Sequence, residues 1–265
     1  MMLAEVLMTK HHPDSDPLLQ KQALARAQSA PAAIKKIGPV TDPRQAPVVQ
    51  VDTGLPAVAP ACLSAVHLRE AFAQGSPGWQ PELRDERRWV ERPPAKAAVL
   101  VALVQRQEIN VLLTQRSATL SNHSGQIAFP GGRKDPDDRD ASDTALREAW
   151  EEVGLARDRV EVLGSLPVYA TGSGFDITPV VGLVTPPFAL QANPGEADEI
   201  FEVPLSFLMN PAHHQWQQLD TPDLSRRWLS MPYQDPLSGH NRFIWGATAG
   251  MLRNLYRFLS FQAPR

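Results

Sequence analysis

From about residue 95 onward, the apolar positions follow patterns that predict the strands and helices of an α/β protein. The run AKAAVLVALV over residues 95–104 is continuously apolar and rich in valine, which is typical of a strand buried on both faces. INVLLTQR over 109–116 predicts the second strand of a local hairpin. The other predicted elements are a short strand within 127–133, strands over 160–169 and 175–184, and helices over 141–153, 204–209 and 243–260. This order predicts a mixed sheet with helices on both faces.

The residues before this region have a different pattern. Residues 1–62 are rich in proline, alanine and glutamine, and the prolines interrupt any long periodic stretch, so we expect a largely disordered N-terminal extension. Residues 63–94 predict a short helix and a connector. That helix has Ser64 as its candidate N-cap and stops at Gly75. The main domain is therefore predicted to span residues 95–260.

Charge and composition exclude several classes of protein. The formal net charge of the 265 residues is −3, which gives no support for binding to nucleic acid or to a membrane surface. Cys62 is the only cysteine, so an intramolecular disulfide and a thiolate-rich zinc site are excluded. There is no apolar run of roughly 18 residues and no pattern of a secretory signal, so we expect a cytoplasmic protein. His213 and His214 are expected in a solvated loop.

The predicted helix over 141–153 carries an unusual charge pattern. Glu148, Glu151 and Glu152 share one face, where like charges repel each other. No lysine lies between residues 135 and 159, and Arg147 is placed to pair with Glu151 one turn on. Such a helix could be an acidic surface in water. The alternative is a site for a hard divalent cation such as Mg²⁺, which binds carboxylates together with substrate phosphates.

The turn before this helix favours the second interpretation. Pro130, Gly131 and Gly132 form a sequence whose backbone can pass close to a ligand. With Gly132 upstream, LREAWEEVGL resembles the Nudix box of the Nudix hydrolases, written G-x5-E-x7-R-E-U-x-E-E-x-G-U with U apolar. The second half matches completely. The first half is one residue longer, and Arg139 stands where the box has its first glutamate, with aspartates 137, 138 and 140 nearby.

A second motif narrows the resemblance. LLTQRSATLSNHSGQIAFPGG over 112–132 is similar to the signature LLTxR[SA]x3Rx3Gx3FPGG of the coenzyme A pyrophosphatase branch. Ser121 departs from it, because the signature has an arginine there that would contact a coenzyme A phosphate. The segments 193–208 and 244–252 are also similar to that branch, so the resemblance covers roughly residues 95–260.

The resemblance implies an α/β/α sandwich around a mixed sheet and a metal-dependent hydrolase. The expected reaction splits the diphosphate of coenzyme A or acyl-coenzyme A into 3′,5′-adenosine bisphosphate and 4′-phosphopantetheine or its acylated form. Glu148, Glu151 and Glu152 are expected to bind Mg²⁺ or Mn²⁺, with catalysis assigned to Glu151, Glu152, Arg147 and Glu196. Arg147 would hold Glu151 in place. Arg116, Gly131 and Gly132 are the expected substrate-binding residues.

Several alternatives stay open at this stage. The general base could be a helix glutamate or one of two loop acids, Glu196 and Glu199, of which Glu196 is favoured; both precede an apparent helix. Both could equally be solvated loop charges. The substrate could be a nucleotide sugar, a dinucleotide or an oxidised nucleotide, and the chain could be a Nudix-like binding module without activity. The expected partners are a small-molecule diphosphate and, in a homodimer, a second copy of the chain.

Overall fold

The computed structural model describes residues 42–263, apart from residues 76, 89, 92, 118–124 and 222–223. Ser121 and the first 41 residues of the predicted extension lie outside the described part. The helices are α1 Ala65–Gln74, α2 Ala141–Val153, α3 Leu205–Leu208 and α4 Gly246–Gln262. The strands are β1 Val48–Val51, β2 Ala95–Gln105, β3 Ile109–Arg116, β4 Ile127–Ala128, β5 Gly131–Arg133, β6 Val160–Ser165, β7 Tyr169–Ala170, β8 Phe175–Val184, β9 Ala197–Pro204, β10 Gln215–Thr221, β11 Leu224–Gln234 and β12 Asn241–Trp245.

The larger sheet confirms the predicted α/β/α sandwich. Its order is β4-β3-β2-β8-β6, with β5 paired to β2, β7 to β8 and β9 to β3. The β2–β8 pair is parallel and the other pairs are antiparallel, so the sheet is mixed. In β2, Val101 and Leu103 point into the core with α4, whereas Leu100 and Ala102 point into the core with α2. Alternation along this strand therefore fills both layers.

A second sheet, of order β1-β10-β11-β12, was not predicted. Its strands are rich in glutamine, serine and arginine, and QWQQLDT in β10 has few apolar positions from which a period of two could be recognised. The helix predicted over 243–260 begins only at Gly246, where a backbone φ of 61° separates it from β12. The helix predicted over 204–209 is the single turn α3.

The prediction of a disordered tail over 1–62 is wrong for residues 42–62. Strand β1 pairs with β10 as the edge of the second sheet, and Cys62 is buried. The four side chains of β1 are all exposed, so this strand carries no apolar alternation that could reveal it. Backbone pairing, rather than side-chain burial, holds it in place.

The predicted ends of α1 and α2 are confirmed. The Ser64 hydroxyl accepts a hydrogen bond from the backbone N–H of His67 at 3.3 Å, and Gly75 ends α1 with a φ of 63°. Helix α2 begins at Asp140, whose side chain caps the Asp143 N–H at 2.9 Å. It ends at Gly154, whose φ of 70° suits a residue without a Cβ. These caps fix the start and the end of the helix that carries the glutamates.

A buried ion cluster ties the N-terminal segment to α4. The Arg253 side chain is 2% exposed and pairs with Asp52 at 2.9 Å and with Glu82 at 2.8 Å. Arg253 also donates to Nδ1 of His214 at 2.9 Å, so Nε2 carries the ring proton and donates to the Leu208 carbonyl. The prediction of a solvated loop is therefore wrong for His214, and burial lowers the pKa of its imidazole to about 4.

We expect Asp52→Asn to lower the free energy of unfolding by on the order of 3 kcal/mol, because it leaves a buried guanidinium without one of its two carboxylates. Urea denaturation followed by circular dichroism measures this change. Asp158→Asn is the matched control, since its side chain is 75% exposed, and it should change stability by less than about 0.5 kcal/mol. Equal stabilities for the two variants would contradict the prediction.

Candidate active site

The three glutamates of α2 occupy graded positions between the core and the solvent. The exposed fraction of the side chain is 7% for Glu152, 16% for Glu148 and 47% for Glu151. Ala145, Ala149 and Val153 pack beneath them on β2 and β8. The helix therefore directs the carboxylate of Glu152 into the protein, leaves that of Glu148 partly buried and directs that of Glu151 towards solvent.

Arg147 links these glutamates to the preceding loop. Its Nη1 donates to Glu148 Oε1 and to Glu151 Oε2, each at 2.9 Å, which confirms the predicted pair with Glu151. Its Nε and Nη2 bind the two carboxylate oxygens of Asp138 at 3.0 and 2.9 Å, and Nη2 also reaches the Arg133 carbonyl. These hydrogen bonds hold the pKa of Asp138 well below its ordinary value. Of the three loop aspartates, Asp138 thus binds Arg147, whereas Asp140 caps the start of α2.

The two glycines of β5 make room for the carboxylates. The Gly131 N–H donates to Glu152 Oε2 at 3.3 Å, and a Cβ on Gly131 would lie 2.5 Å from the Ala98 carbonyl oxygen. A Cβ on Gly132 would lie 2.5 Å from the carboxylate carbon of Glu148. Only glycine allows the backbone to approach both β2 and the glutamates this closely.

Burial and like charges disfavour the ionised forms of the carboxylates at this site. Burial raises the pKa of Glu152 to about 7, and the charges of Glu148 and Glu196 act in the same direction. The Gly131 N–H and the Arg116 guanidinium partly offset this. Burial also raises the pKa of Glu148. A cation would favour the ionised form of both carboxylates, so their charge and their oxygen donors fit a hard divalent ion.

The arrangement of the side chains is not that of a preformed metal centre. Among the described residues, no group of three His, Cys, Asp or Glu side chains is placed to hold a metal ion. Glu148 and Glu151 are instead neutralised by Arg147. The donor types therefore support the predicted metal set of Glu148, Glu151 and Glu152, whose ligand role stays a prediction.

Arg116 and Glu196 lie at the same site, at the end of one strand of the larger sheet and directly before another. Arg116, the last residue of β3, places Nη1 3.8 Å from Glu152 Oε1. Glu196 directly precedes β9, and its carbonyl accepts the Ser117 N–H at 3.0 Å. Its charge raises the pKa of both Glu148 and Glu152. The structure thus brings together residues that are far apart in the sequence.

Glu199 does not join this group. It lies within β9, so a strand separates it from the predicted helix, and its carboxylate is bound by Arg242, with the nearest pair at 2.5 Å. These hydrogen bonds lower the pKa of Glu199. The hypothesis that Glu199 swings to the site as the base is therefore not supported. Arg242 was missed because it lies on β12, a strand that was not predicted, and no local pattern links it to Glu199, 43 positions away.

The comparisons with known proteins cover the same region. The model of the NUDIX domain matches residues 94–233. Two relatives, each described as an uncharacterized Nudix hydrolase NudL, come from Photorhabdus laumondii subsp. laumondii and Escherichia coli K12. The first is 41% identical over 159 residues, which cover 60% of this chain and 82% of that protein. The second is 41% identical over 161 residues, which cover 60% of this chain and 80% of that protein.

Solved structures are similar at a lower level. An Ap4A hydrolase binary complex from C. elegans is 23% identical, with a TM-score of 0.37, and the match covers 44% of this chain and 85% of that one. A MutT/nudix family protein from Enterococcus faecalis is 17% identical, with a TM-score of 0.37, over 73% of this chain and 72% of that one.

We expect Gly132→Ala to weaken Mn²⁺ binding by on the order of 10-fold or more, because the new methyl group would displace the Glu148 carboxylate. Isothermal titration calorimetry with MnCl₂ measures the affinity. Gly54→Ala is the control, since a Cβ there meets nothing within 4 Å. Unchanged Mn²⁺ affinity in Gly132→Ala would show that Glu148 is not a ligand.

The stability of the metal-free protein should fall as the pH rises. The folded-state pKa of Glu152, about 7, lies above its ordinary value of 4.5, so the folded state binds this proton more tightly than the unfolded state does. Between about pH 4.5 and 7, the free energy of unfolding should fall by about 3 kcal/mol at most. Urea denaturation in EDTA across this range tests it. Glu152→Gln should flatten the profile, whereas Glu161→Gln, on exposed β6, should retain it. Parallel profiles for the two variants would refute the prediction.

Proposed function

This chain belongs to the NUDIX family, and on that premise we propose that its substrate is coenzyme A or an acyl-coenzyme A. It is a Nudix pyrophosphatase that acts on a nucleoside diphosphate derivative. With coenzyme A, hydrolysis of the diphosphate would give 3′,5′-adenosine bisphosphate and 4′-phosphopantetheine. An acyl-coenzyme A would give the acylated phosphopantetheine.

The observation that carries this proposal is the segment 112–132, with its ordered matches to the coenzyme A pyrophosphatase signature. The site geometry supports the proposal, because the arginine and the glycines of this segment all lie at the glutamates of α2. Arg116 lies beside Glu152, and the Gly131 N–H donates to the same carboxylate. Gly132 lies against Glu148. The segment that resembles the branch is thus the segment that shapes the site.

In the proposed mechanism, Glu148, Glu151 and Glu152, with the Gly132 carbonyl, would hold Mg²⁺ or Mn²⁺. The ion would supply positive charge to offset that of the diphosphate and would lower the pKa of an attacking water. Glu196 takes a proton from that water as the general base. The water oxygen attacks one phosphorus of the diphosphate, and the P–O bond to the other phosphate breaks. The alternative general base is one of the glutamates of α2.

The two arginines have different tasks in this mechanism. The guanidinium of Arg116 binds a phosphate oxygen of the substrate, for which its planar donors are suited. Arg147 does not touch the substrate. It fixes Glu151 and the Asp138 loop through the hydrogen bonds described above. Losing Arg116 should therefore weaken substrate binding, whereas losing Arg147 should disturb the positions of the carboxylates.

Ser121 favours a second candidate substrate. It stands where the signature has an arginine, so a contact to a coenzyme A phosphate is absent from the sequence at that position. This supports, as the alternative, another nucleoside diphosphate derivative, such as a nucleotide sugar, a dinucleotide or an oxidised nucleotide. A module without activity is less favoured, because Arg147 and the three glutamates in the second half of the box are retained.

Location and assembly stay predictions. In the described part of the chain, no helix combines the length and the apolar character needed to cross a membrane. The homodimer and the cytoplasmic location are expectations from the sequence, and size-exclusion chromatography with light scattering would test the first.

Purified protein incubated with coenzyme A and Mg²⁺ or Mn²⁺ should release adenosine bisphosphate and phosphopantetheine, resolved by liquid chromatography. ADP-ribose and a diadenosine polyphosphate serve as substrate controls. Glu152→Gln should lower kcat by at least about 100-fold, because it removes a negatively charged carboxylate that is proposed to bind the metal ion. Glu161→Gln should retain activity. Turnover of a control substrate but not of coenzyme A would refute the coenzyme A proposal and keep the diphosphatase. Equal activity in both variants would refute the proposed site.

A further inference from the structure

The pairing of β3 with β9 is irregular where the two strands reach the active site. Gln115 lies opposite Glu199, but the next residue, Arg116, lies opposite Ala197, so Asp198 is an extra residue on β9. An extra residue of this kind is a β-bulge, which bends a strand and changes the direction of nearby side chains. Arg116 on β3 and Ala197 on β9 form the next pair beyond it. The bulge therefore affects the direction in which Arg116 points.

One buried arginine holds the last regular pair before the bulge. Arg242 lies on β12 of the second sheet, and its side chain is 2% exposed. Its Nη1 donates to Glu199 Oε2 at 2.6 Å and to Gln115 Oε1 at 3.3 Å. A second nitrogen, Nη2, donates to the other oxygen of Glu199. A single guanidinium thus joins β3, β9 and β12 beside the bulge.

The surroundings of Arg242 keep this guanidinium in one position. Its Cζ lies 4.3 Å from the centroid of the Phe201 ring, a cation–π contact. Its Nη2 also lies 3.5 Å from Asp235 Oδ2 and donates to the Ser238 hydroxyl. Two-pronged hydrogen bonds between ionised groups are both strong and directional. The hydrogen bonds of Arg242 therefore couple the position of β12, in the second sheet, to that of the end of β3.

We propose that Arg242 is a positioning residue of the active site, which fixes the bulge at Asp198 and thereby the place of Arg116. Without it, the pair of Gln115 and Glu199 loses its link to the second sheet, and Arg116 is free to move from its place beside Glu152. The role given to Arg116 rests on the proposed function. The link between Arg242 and the bulge does not.

An arginine that serves stability alone would behave differently. Removing it would lower the free energy of unfolding, as removal of Asp52 should, and would leave substrate affinity in the folded fraction unchanged. A positioning residue acts through Arg116, so its removal should matter only while Arg116 is present. The two roles are therefore distinguished by a double-mutant cycle.

The kinetic test uses the substrate that the enzyme hydrolyses best, whether or not that is coenzyme A. We expect Arg242→Gln and Glu199→Gln each to raise KM by about 10-fold with a smaller change in kcat, because Arg116 no longer meets the phosphate. Arg116→Ala should raise KM as well, and Arg116→Ala with Arg242→Gln should be no worse than Arg116→Ala alone. Asp52→Asn should lower the stability but leave KM unchanged. Additive effects of the Arg116 and Arg242 variants would overturn the proposal.

A second readout needs no substrate. The Ser117 N–H, which bonds to the Glu196 carbonyl beyond the bulge, should exchange with deuterium at least about 10-fold faster in Arg242→Gln than in Asp52→Asn. Unchanged exchange at Ser117 would overturn the proposal even if the enzyme proves to act on another diphosphate. If Arg242→Gln does not fold, Glu199→Gln and Gln115→Leu give the same comparison.

Discussion

A single guanidinium makes the acidic end of α2 compatible with a folded protein. Three glutamates within five residues repel each other, and the core side of the helix removes water from one of them. Arg147 offsets this by binding Glu148, Glu151 and the loop residue Asp138 at once. The loop, the helix and the glycines of β5 are consequently fixed together. Burial raises the pKa of Glu152 to about 7, and a cation beside this carboxylate would favour its ionised form.

The parts of the fold that could be predicted are those in which local pattern and tertiary environment agree. Helix α2 was predicted with its observed ends because its apolar period and its caps coincide. Strands β2 and β8 are buried on both faces, so their sequences are continuously apolar. The Arg147–Glu151 pair follows from helix geometry alone. These features depend only on residues close in the sequence, and the match to the NUDIX family agrees with them.

The features that escaped prediction depend on distant residues. Strand β1 exposes its side chains and is held by hydrogen bonds to β10, so its residues look like those of a tail. Glu199 and Arg242 bind each other although they are 43 residues apart in the sequence and lie in different sheets. The bulge at Asp198 is a matter of register, which the composition of a strand does not specify. Such contacts require the fold before they can be recognised.

The contacts between the segment around residues 52–56 and α4 have a consequence for folding during synthesis. Tyr256 in α4 donates its hydroxyl proton to the Pro56 carbonyl, and these residues are 200 positions apart. The guanidinium that neutralises Asp52 comes from the same C-terminal helix. Until residues 253–256 have been synthesised, the Asp52 carboxylate and the Pro56 carbonyl therefore lack these two partners in α4. Contacts of such long range are slow to form, so the growing chain depends on the central sheet for its early order.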